Sequence, residues 1–292
     1  MSLSLRQSAP RARGAALSPK QSHLAPSLSS LGATVLMDPW LVGDLTFLDA
    51  AWLYLGRKKA FKPVDLGAVC ARTDVIILSQ ALPDHAHAPT LAALPDKALP
   101  VLCSPAAEGA ARKAGFTNVT PLPHGASATV AGGKLRVTAT AGALVGPPWA
   151  TRENGFVIEQ VVGTGGEAGD AAAATAASAP LRLYYEPHCD AGPGVLEGLG
   201  TVDVVITPAV SQKIGGFPLV MGDENAVGLC TALRPAVFLP LENAEIRQEG
   251  PLAAVIKESG TVGGLQARLA AAGLGTRVVV PAGAGESVVV EV

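Results

Sequence analysis

Carboxylate and imidazole side chains gather directly after a short apolar run in the first third of this chain. Residues 74–79 are mostly aliphatic and β-branched, which predicts a buried strand. Pro83 cannot continue a strand, so the chain turns there and presents Asp84, His85 and His87. These residue types supply general acids, general bases and metal ligands. Layered α/β proteins place their sites at such strand ends, so this turn is a candidate site.

A second polar group follows a later apolar run. Residues 181–185 predict a strand that leads into Glu186 and His188. Three of the five histidines, His85, His87 and His188, lie in these two positions. If both strands end at one edge of the fold, these side chains meet in one site. The alternative is that the three histidines make structural hydrogen bonds where loops begin.

The elements that must position these groups alternate between strands and helices. From residue 74 onwards, the pattern predicts a strand at 74–79, a helix near 89–95, a strand at 100–103 and a helix at 106–114. Residues 126–162 then predict successive strands with short turns. Such a mixture of βαβ units and antiparallel strands suits two sheets that lie between outer helices.

The first of these clusters resembles the second motif of the metallo-β-lactamase superfamily, which is a strand followed by His-x-His-x-Asp-His. The chain keeps this frame as Gln80-x-Leu82-x-Asp84-His85, with two histidines replaced. The resemblance covers residues 33–292. It implies an α/β fold of αββα four-layer sandwich type.

The resemblance also implies a metal site, commonly zinc, at one edge of the sandwich. Zinc bound by histidines and carboxylates lowers the pKa of a bound water to near neutrality. In the family frame, His188 falls near the position of a bridging aspartate, and Glu242 replaces a histidine of the fifth motif. We therefore predict His85, His188 and Asp84 as ligands of zinc or another divalent metal. Asp84 and Glu242 are the predicted catalytic residues.

Further residues are expected near this edge. Asp38, which precedes a proline, resembles the supporting aspartate of the first motif, although a turn-starting aspartate explains it as well. His87 and Glu186 are predicted binding residues. Trp149 would line a pocket and Arg152 would meet an anionic ligand. A proline-rich turn with a packed tryptophan is the alternative for these last two.

The replaced ligands leave two functions open. The first is a metal-dependent hydrolase that acts on a small molecule through a rebuilt set of ligands. The second is a non-catalytic relative that uses the old cleft to bind a small molecule or a protein, and the lost ligands favour it. In either case His85 and His188 should lie within about 8 Å of each other, as two ligands of one ion would require.

The amino-terminal segment differs from the rest of the chain. Residues 1–32 contain four arginines or lysines, no carboxylate and many serines and alanines. This composition resembles an organelle transit peptide, and we predict import into a chloroplast, with a mitochondrion as the alternative. An ordinary disordered tail on a cytoplasmic protein is the other interpretation. Residues 33–292 are predicted to form one domain, with a flexible Gly- and Ala-rich insertion at about 163–180.

Composition narrows the class of protein. The 292 residues are 49% hydrophobic and 16% charged, with a net charge of −2, which suits a globular chain with a sizeable core. We expect no nucleic-acid partner, because no basic stripe is present, and no membrane span, because no long apolar run is present. The four cysteines are far apart and form no CxxC pair, so a disulfide framework is not expected.

Overall fold

Short strands and a few helices alternate along the described part of the chain. The computed structural model describes residues 2–6, 27–29, 32–59, 63–145, 149–161, 180–241, 246–280 and 287–291. The strands in chain order are β1 (Ser2–Arg6), β2 (Ser27–Ser29), β3 (Thr34–Met37), β4 (Leu45–Thr46), β5 (Leu55–Lys58), β6 (Val75–Leu78), β7 (Val101–Cys103), β8 (Val119–Pro121), β9 (Ser127–Val130), β10 (Leu135–Ala141), β11 (Asn154–Gln160), β12 (Arg182–Tyr185), β13 (Val204–Pro208), β14 (Ser211–Ile214), β15 (Phe217–Met221), β16 (Val237–Leu241), β17 (Ile246–Glu249), β18 (Ile256–Ser259), β19 (Arg277–Val278) and β20 (Ser287–Glu291).

The helices are short and follow individual strands. They are α1 (Leu66–Cys70), α2 (Ala88–Ala93), α3 (Glu108–Lys113), α4 (Gly222–Leu233), α5 (Pro251–Val255) and α6 (Val262–Ala271), with a 3-10 turn at Pro105–Ala107. Several begin at a polar side chain that caps the helix. The Asp65 carboxylate accepts a hydrogen bond from the backbone of α1, and the Thr261 hydroxyl does the same for α6.

Two seven-stranded sheets form the centre of the fold. The first has the order β20-β1-β2-β3-β6-β7-β8, and the second has the order β19-β16-β13-β12-β11-β10-β9. Strands β3, β6, β7 and β8 run parallel to one another, as do β12, β13, β16 and β19. Strands β9 to β12 are antiparallel. Two three-stranded sheets, β15-β14-β18 and β17-β5-β4, lie outside this pair.

The alternation of side chains along each strand builds the layers. In β6, Val75 and Ile77 join a cluster that both large sheets share, whereas Ile76 and Leu78 pack outward with the residues of α2 and α3. All four side chains are fully buried. Burying a side chain of this size stabilises a fold by about 1.5–3 kcal/mol before entropic costs. Because conformational entropy opposes folding, the sandwich needs the burial energy of both clusters.

The second sheet repeats this arrangement on its own outer face. Leu183 and Tyr185 of β12 face the shared cluster, while Tyr184 packs outward with residues of α4 and α6. The layers are therefore helices, sheet, sheet and helices. The predicted αββα four-layer sandwich is confirmed.

Several local predictions need correction. The local pattern predicts Asp223 as the cap of α4, but the cap position is Met221, and Asp223 lies inside the helix and pairs with Arg268. The two small sheets are not predicted, because their strands carry charged and intermediate side chains with little apolar alternation. Residues 52–59 predict a short amphipathic segment or a satellite core with a solvated end. A turn leads there into β5, and Tyr54 packs in a small separate cluster with Trp40 and Leu45.

The predicted boundaries of the leader, the domain and the insertion remain predictions. Strands β1 and β2 lie within the segment expected to be a leader and form part of the first sheet. The expected insertion at 163–180 falls almost wholly outside the described residues, and Glu242 falls outside them too. Within the described residues, none of the helices is long and apolar enough to cross a membrane.

Candidate functional site

The ends of three strands meet at one edge of the sandwich. Asp38 follows β3, Ser79 and Gln80 follow β6, and Glu186 follows β12. Strands β3 and β6 are parallel neighbours in the first sheet, so their carboxyl ends lie side by side. Tyr185, the last residue of β12, reaches across from the second sheet, and its hydroxyl donates a hydrogen bond of 2.6 Å to Asp38. This contact brings both sheets to one polar cluster.

Asp38 is the centre of this cluster. Its Oδ1 accepts the backbone N–H of Ser79 at 2.7 Å, and its Oδ2 accepts the Ser79 hydroxyl at 2.5 Å. The same Oδ2 lies 2.8 Å from Nδ1 of His85 and also accepts the Tyr185 hydroxyl. The backbone of Asp38 is left-handed, with φ of 40°, a conformation that aspartate tolerates better than most residues. Asp38 therefore ties β3, β6 and β12 together, as a supporting aspartate would.

His85 is held between two carboxylates. Its Nδ1 faces Asp38 at 2.8 Å, and its Nε2 lies 3.3 Å from Oδ2 of Asp84. Burial alone would lower the pKa of His85, but the charges of Asp84 and Asp38 and their hydrogen bonds outweigh it and raise the pKa well above its ordinary value. His85 is therefore a buried imidazolium whose two nitrogens are both engaged.

The two carboxylates respond to this charge. Burial would raise the pKa of Asp38, yet the adjacent His85 outweighs it and lowers that pKa below its ordinary value. The pKa of Asp84 is lowered for the same reason, with a smaller contribution from His188. Burial and the Asp38 charge raise the pKa of Tyr185 well above its ordinary value, so the phenol remains a donor. The cluster is thus one imidazolium with two carboxylates.

His188 lies against His85, as the sequence predicted. The two ring centroids are 5.1 Å apart, so the expected proximity is confirmed. Nδ1 of His188 lies 3.1 Å from Nε2 of Gln80, which places the amide in the same space. Glu186 shapes the loop below: its two carboxylate oxygens accept the backbone N–H groups of His188 at 3.1 Å and Asp190 at 2.7 Å. We refer to His85 and His188 as the imidazole pair.

A part-buried ion pair involves Asp190, two residues after His188 in the loop. Arg152 donates to Oδ2 of Asp190 at 2.7 Å and to the carbonyl of Gly142 at 2.9 Å. Glu153 is half-buried, and burial raises its pKa against the opposing effect of the imidazole pair. Trp149 is 85% exposed, so its side chain is neither packed nor part of the buried cluster.

His87 belongs to the scaffold rather than to the cluster. Its Nδ1 caps α2 by accepting the backbone N–H of Thr90, and the same nitrogen lies 2.9 Å from the Thr90 hydroxyl. Its Nε2 lies 3.2 Å from the carbonyl of Asp44, and its ring packs against Trp40. Burial lowers the pKa of His87. Both ring nitrogens therefore serve the turn, as the structural alternative anticipated.

The described residues do not supply a metal site. Among them, no group of three or more His, Cys, Asp or Glu side chains is arranged to hold an ion. The donor set explains this result: Gln80 and Leu82 stand where the family frame has histidines, and the nitrogens of His85 are bonded to carboxylates. Asp84, His85 and His188 do come together, whereas Glu242 lies outside the described residues.

Three residues of the cluster were not singled out from the sequence. Ser79 and Tyr185 look like ordinary ends of buried strands, and Glu153 lies in a loop whose path a sequence does not give. The sequence could have indicated Ser79 as a site residue, because it is the first polar residue after the buried strand β6. Strand alternation would also have placed Tyr185 on the inner face of its sheet.

Comparison with known proteins agrees with this geometry. A family model described as "Beta-lactamase superfamily domain" matches residues 23–242. An isothiocyanate hydrolase from Delia radicum gut bacteria superposes with a TM-score of 0.61 at 16% identity, covering 90% of this chain and 94% of that chain. A possible metal-dependent hydrolase from Veillonella parvula gives 0.58 at 16% identity, with 89% and 94% covered. Igni18, a metallo hydrolase from Ignicoccus hospitalis, gives 0.50 at 18% identity, with 86% and 88% covered.

Identities this low establish the fold and no more. A search of curated protein sequences found no match to this chain.

Proposed function

We propose that the cleft of this protein binds a small molecule without a metal-activated water. The premise is that the chain belongs to the beta-lactamase superfamily and has the metallo-β-lactamase fold. Members of one fold carry different functions, so the proposal is argued from the side chains at the site. The structurally similar proteins named above are hydrolases, so the side chains of this site are compared with what a hydrolase would need.

The engagement of both nitrogens of His85 is the main observation behind this proposal. A histidine binds a metal ion through the lone pair of a neutral ring nitrogen. In this site Nδ1 faces Asp38 at 2.8 Å and Nε2 faces Asp84 at 3.3 Å, and the two carboxylates raise the pKa of His85 and so favour its protonated form. Metal binding by His85 would require loss of a proton and of an ion pair. The network therefore favours a fixed polar binding surface.

A metal-free nucleophilic triad is also disfavoured. Ser79, His85 and Asp84 have the residue types of such a triad, and the Ser79 hydroxyl lies 3.4 Å from Nδ1 of His85. However, Ser79 is fully buried and its hydroxyl donates to Asp38. A protonated His85 cannot accept the serine proton, so the arrangement lacks both an exposed nucleophile and a base.

A metal-dependent hydrolase with rebuilt ligands is the second candidate, and one observation favours it. Oδ1 of Asp84 is buried and has no hydrogen-bond partner. An acceptor of that kind beside His188 is a feature that a bound cation would satisfy. In this alternative, His85, His188 and Asp84 are the ligands, with Glu242 or Glu186 as a further ligand or base.

Elemental analysis of the purified protein separates the two candidates. We expect clearly substoichiometric transition metal after expression in supplemented medium. We also expect no hydrolysis of phosphoester, lactam or thioester substrates above that of the His85→Ala variant. His124→Ala, which replaces an exposed histidine in a turn, is the matched control. Stoichiometric metal together with hydrolysis that His85→Ala abolishes and His124→Ala retains would reject the binding function.

A further inference from the structure

Two buried oxygens near the imidazole pair have no hydrogen-bond partner. Gln80 is fully buried, and its Oε1 makes no hydrogen bond. The same is true of Oδ1 of Asp84. Within the described residues, the only other side-chain atom of this kind is the hydroxyl of Tyr184. Because unpartnered buried polar atoms are rare in folded proteins, two in one cluster indicate a missing donor.

Both oxygens belong to residues that adjoin the imidazole pair. The amide of Gln80 lies 3.1 Å from Nδ1 of His188. The carboxylate of Asp84 lies 3.3 Å from Nε2 of His85, whose ring centroid is 5.1 Å from that of His188. The two acceptors therefore belong to side chains that contact the imidazole pair, Gln80 at His188 and Asp84 at His85. Nδ1 of His85 is already bonded to Asp38, and its Nε2 faces Oδ2 of Asp84, whereas the unpartnered oxygen is Oδ1.

The charge of this region is unbalanced toward acid. The carboxylates that face the imidazole pair or its loop are Asp38, Asp84, Glu153, Glu186 and Asp190. The side chains that can carry a positive charge and lie against them are Arg152, His85 and His188. The five carboxylates outnumber these three side chains. Such an imbalance in a low-dielectric cleft attracts a positively charged ligand and disfavours an anion.

The cluster reaches the surface on the side of Asp84 and Arg152. The side chain of Asp84 is 36% exposed although one of its oxygens is shielded. The side chain of Arg152 is 33% exposed, in contrast to its partner Asp190 at 4%. The Asp84 carboxylate is therefore partly accessible from solution.

We propose that the cleft recognises a small organic molecule through its primary ammonium group. An ammonium carries a positive charge and three N–H donors with no acceptor, which matches two unpartnered oxygens in an acidic setting. Asp84 supplies the charged acceptor and Gln80 the neutral one. This inference rests on the proposed binding function and adds the chemical class of the ligand.

Methylammonium is the simplest probe of this site. We would measure its binding to the full chain by isothermal titration calorimetry and by amide chemical shifts near neutral pH. Tetramethylammonium, which has the charge but no N–H donor, and acetate at the same ionic strength are the controls. We expect binding of methylammonium alone. Equal binding of tetramethylammonium or of acetate would overturn the inference.

Two substitutions make the test specific for the two oxygens. Asp84→Asn removes the charge at nearly constant shape and should weaken methylammonium binding roughly 10-fold to 100-fold, the loss of one charge-assisted hydrogen bond. Asp96→Asn, at an exposed carboxylate outside the cluster, should leave binding unchanged. Gln80→Glu keeps the shape and adds a charged acceptor, so it should tighten binding about 10-fold.

The Gln80→Glu variant controls for misfolding as a cause of lost methylammonium binding, because a damaged fold does not gain affinity. Unchanged affinity in both the Asp84→Asn and Gln80→Glu variants would overturn the inference. The metal content of the same preparation keeps the two proposals apart. Metal-free protein that ignores methylammonium would overturn only the ligand class. Stoichiometric metal with hydrolysis would overturn the binding function itself.

Discussion

Replacing Asp38 by asparagine tests whether this carboxylate holds the site together. The change removes one charge at nearly constant shape. The left-handed backbone of residue 38 also suits asparagine, so backbone strain does not obscure the result. The new side chain would keep one acceptor oxygen for the backbone N–H of Ser79. Its amide nitrogen would then face the Ser79 hydroxyl, the Tyr185 hydroxyl and Nδ1 of His85, all of which now meet at Oδ2 of Asp38.

The expected loss of stability comes from His85, the partner of Asp38 that cannot become a hydrogen-bond acceptor. The two hydroxyls can rotate and become acceptors of the new amide N–H groups, so their loss is small. A protonated His85 has only donors, and it would keep Asp84 as its single counter-charge. Removing one partner of a buried ion pair costs about 3–5 kcal/mol, and release of the proton from His85 limits the upper end. Domains are stable by only about 5–15 kcal/mol, so the effect is large.

Urea unfolding followed by circular dichroism measures this loss, with the midpoints compared at constant slope. Asp96→Asn is the control, because its carboxylate is exposed and accepts only a local backbone hydrogen bond. That control should change the free energy of unfolding by less than about 0.5 kcal/mol. A double variant with His85→Gln should lose clearly less than the sum of the single losses, because the residues are in contact. A loss below about 1 kcal/mol for Asp38→Asn, or strict additivity, would refute the network described above.

Two further predictions concern pH and packing. The raised pKa of His85 means that the folded state retains a proton which the unfolded chain releases, so stability should fall as pH rises above about 6.5, by at most about 1.4 kcal/mol per unit. The lowered pKa of Asp38 acts in the opposite sense, because its contribution is present above about pH 4 and is lost on acidification. Urea midpoints measured over both pH ranges check the direction of each change in stability. A midpoint that stays constant from neutral to alkaline pH would contradict the His85 assignment. Gly155→Ala would place a Cβ 2.6 Å from the Thr140 hydroxyl, so overpacking should cost about 1–3 kcal/mol in the same assay. Gly228→Ala, in open space on α4, should instead stabilise the protein by about 0.5–1 kcal/mol, and equal effects of the two alanines would argue against the packing described here.

The sequence predicted the sandwich through its family resemblance, and the mixture of βαβ units and antiparallel strands agreed with that architecture. The apolar runs of β6 and β12 and the helices between the strands follow from side-chain periodicity alone. The small sheets were missed because strands such as β14 and β18 are held by pairing with each other rather than by burial of an apolar face. The cap of α4 was misplaced by one local rule, since Asp223 pairs with Arg268 instead.

For the site, the sequence determined which polar side chains stand at strand ends and which metal-ligand positions of the family frame are lost. It brought Asp84, His85 and His188 to one edge on the strength of that frame alone. Only the tertiary structure showed which contacts these groups make. Protonation of His85 depends on two carboxylates from separate segments, one of them Asp38, which is far away in the sequence. Electrostatic coupling and burial depend on distances through space, and a linear sequence does not contain those distances.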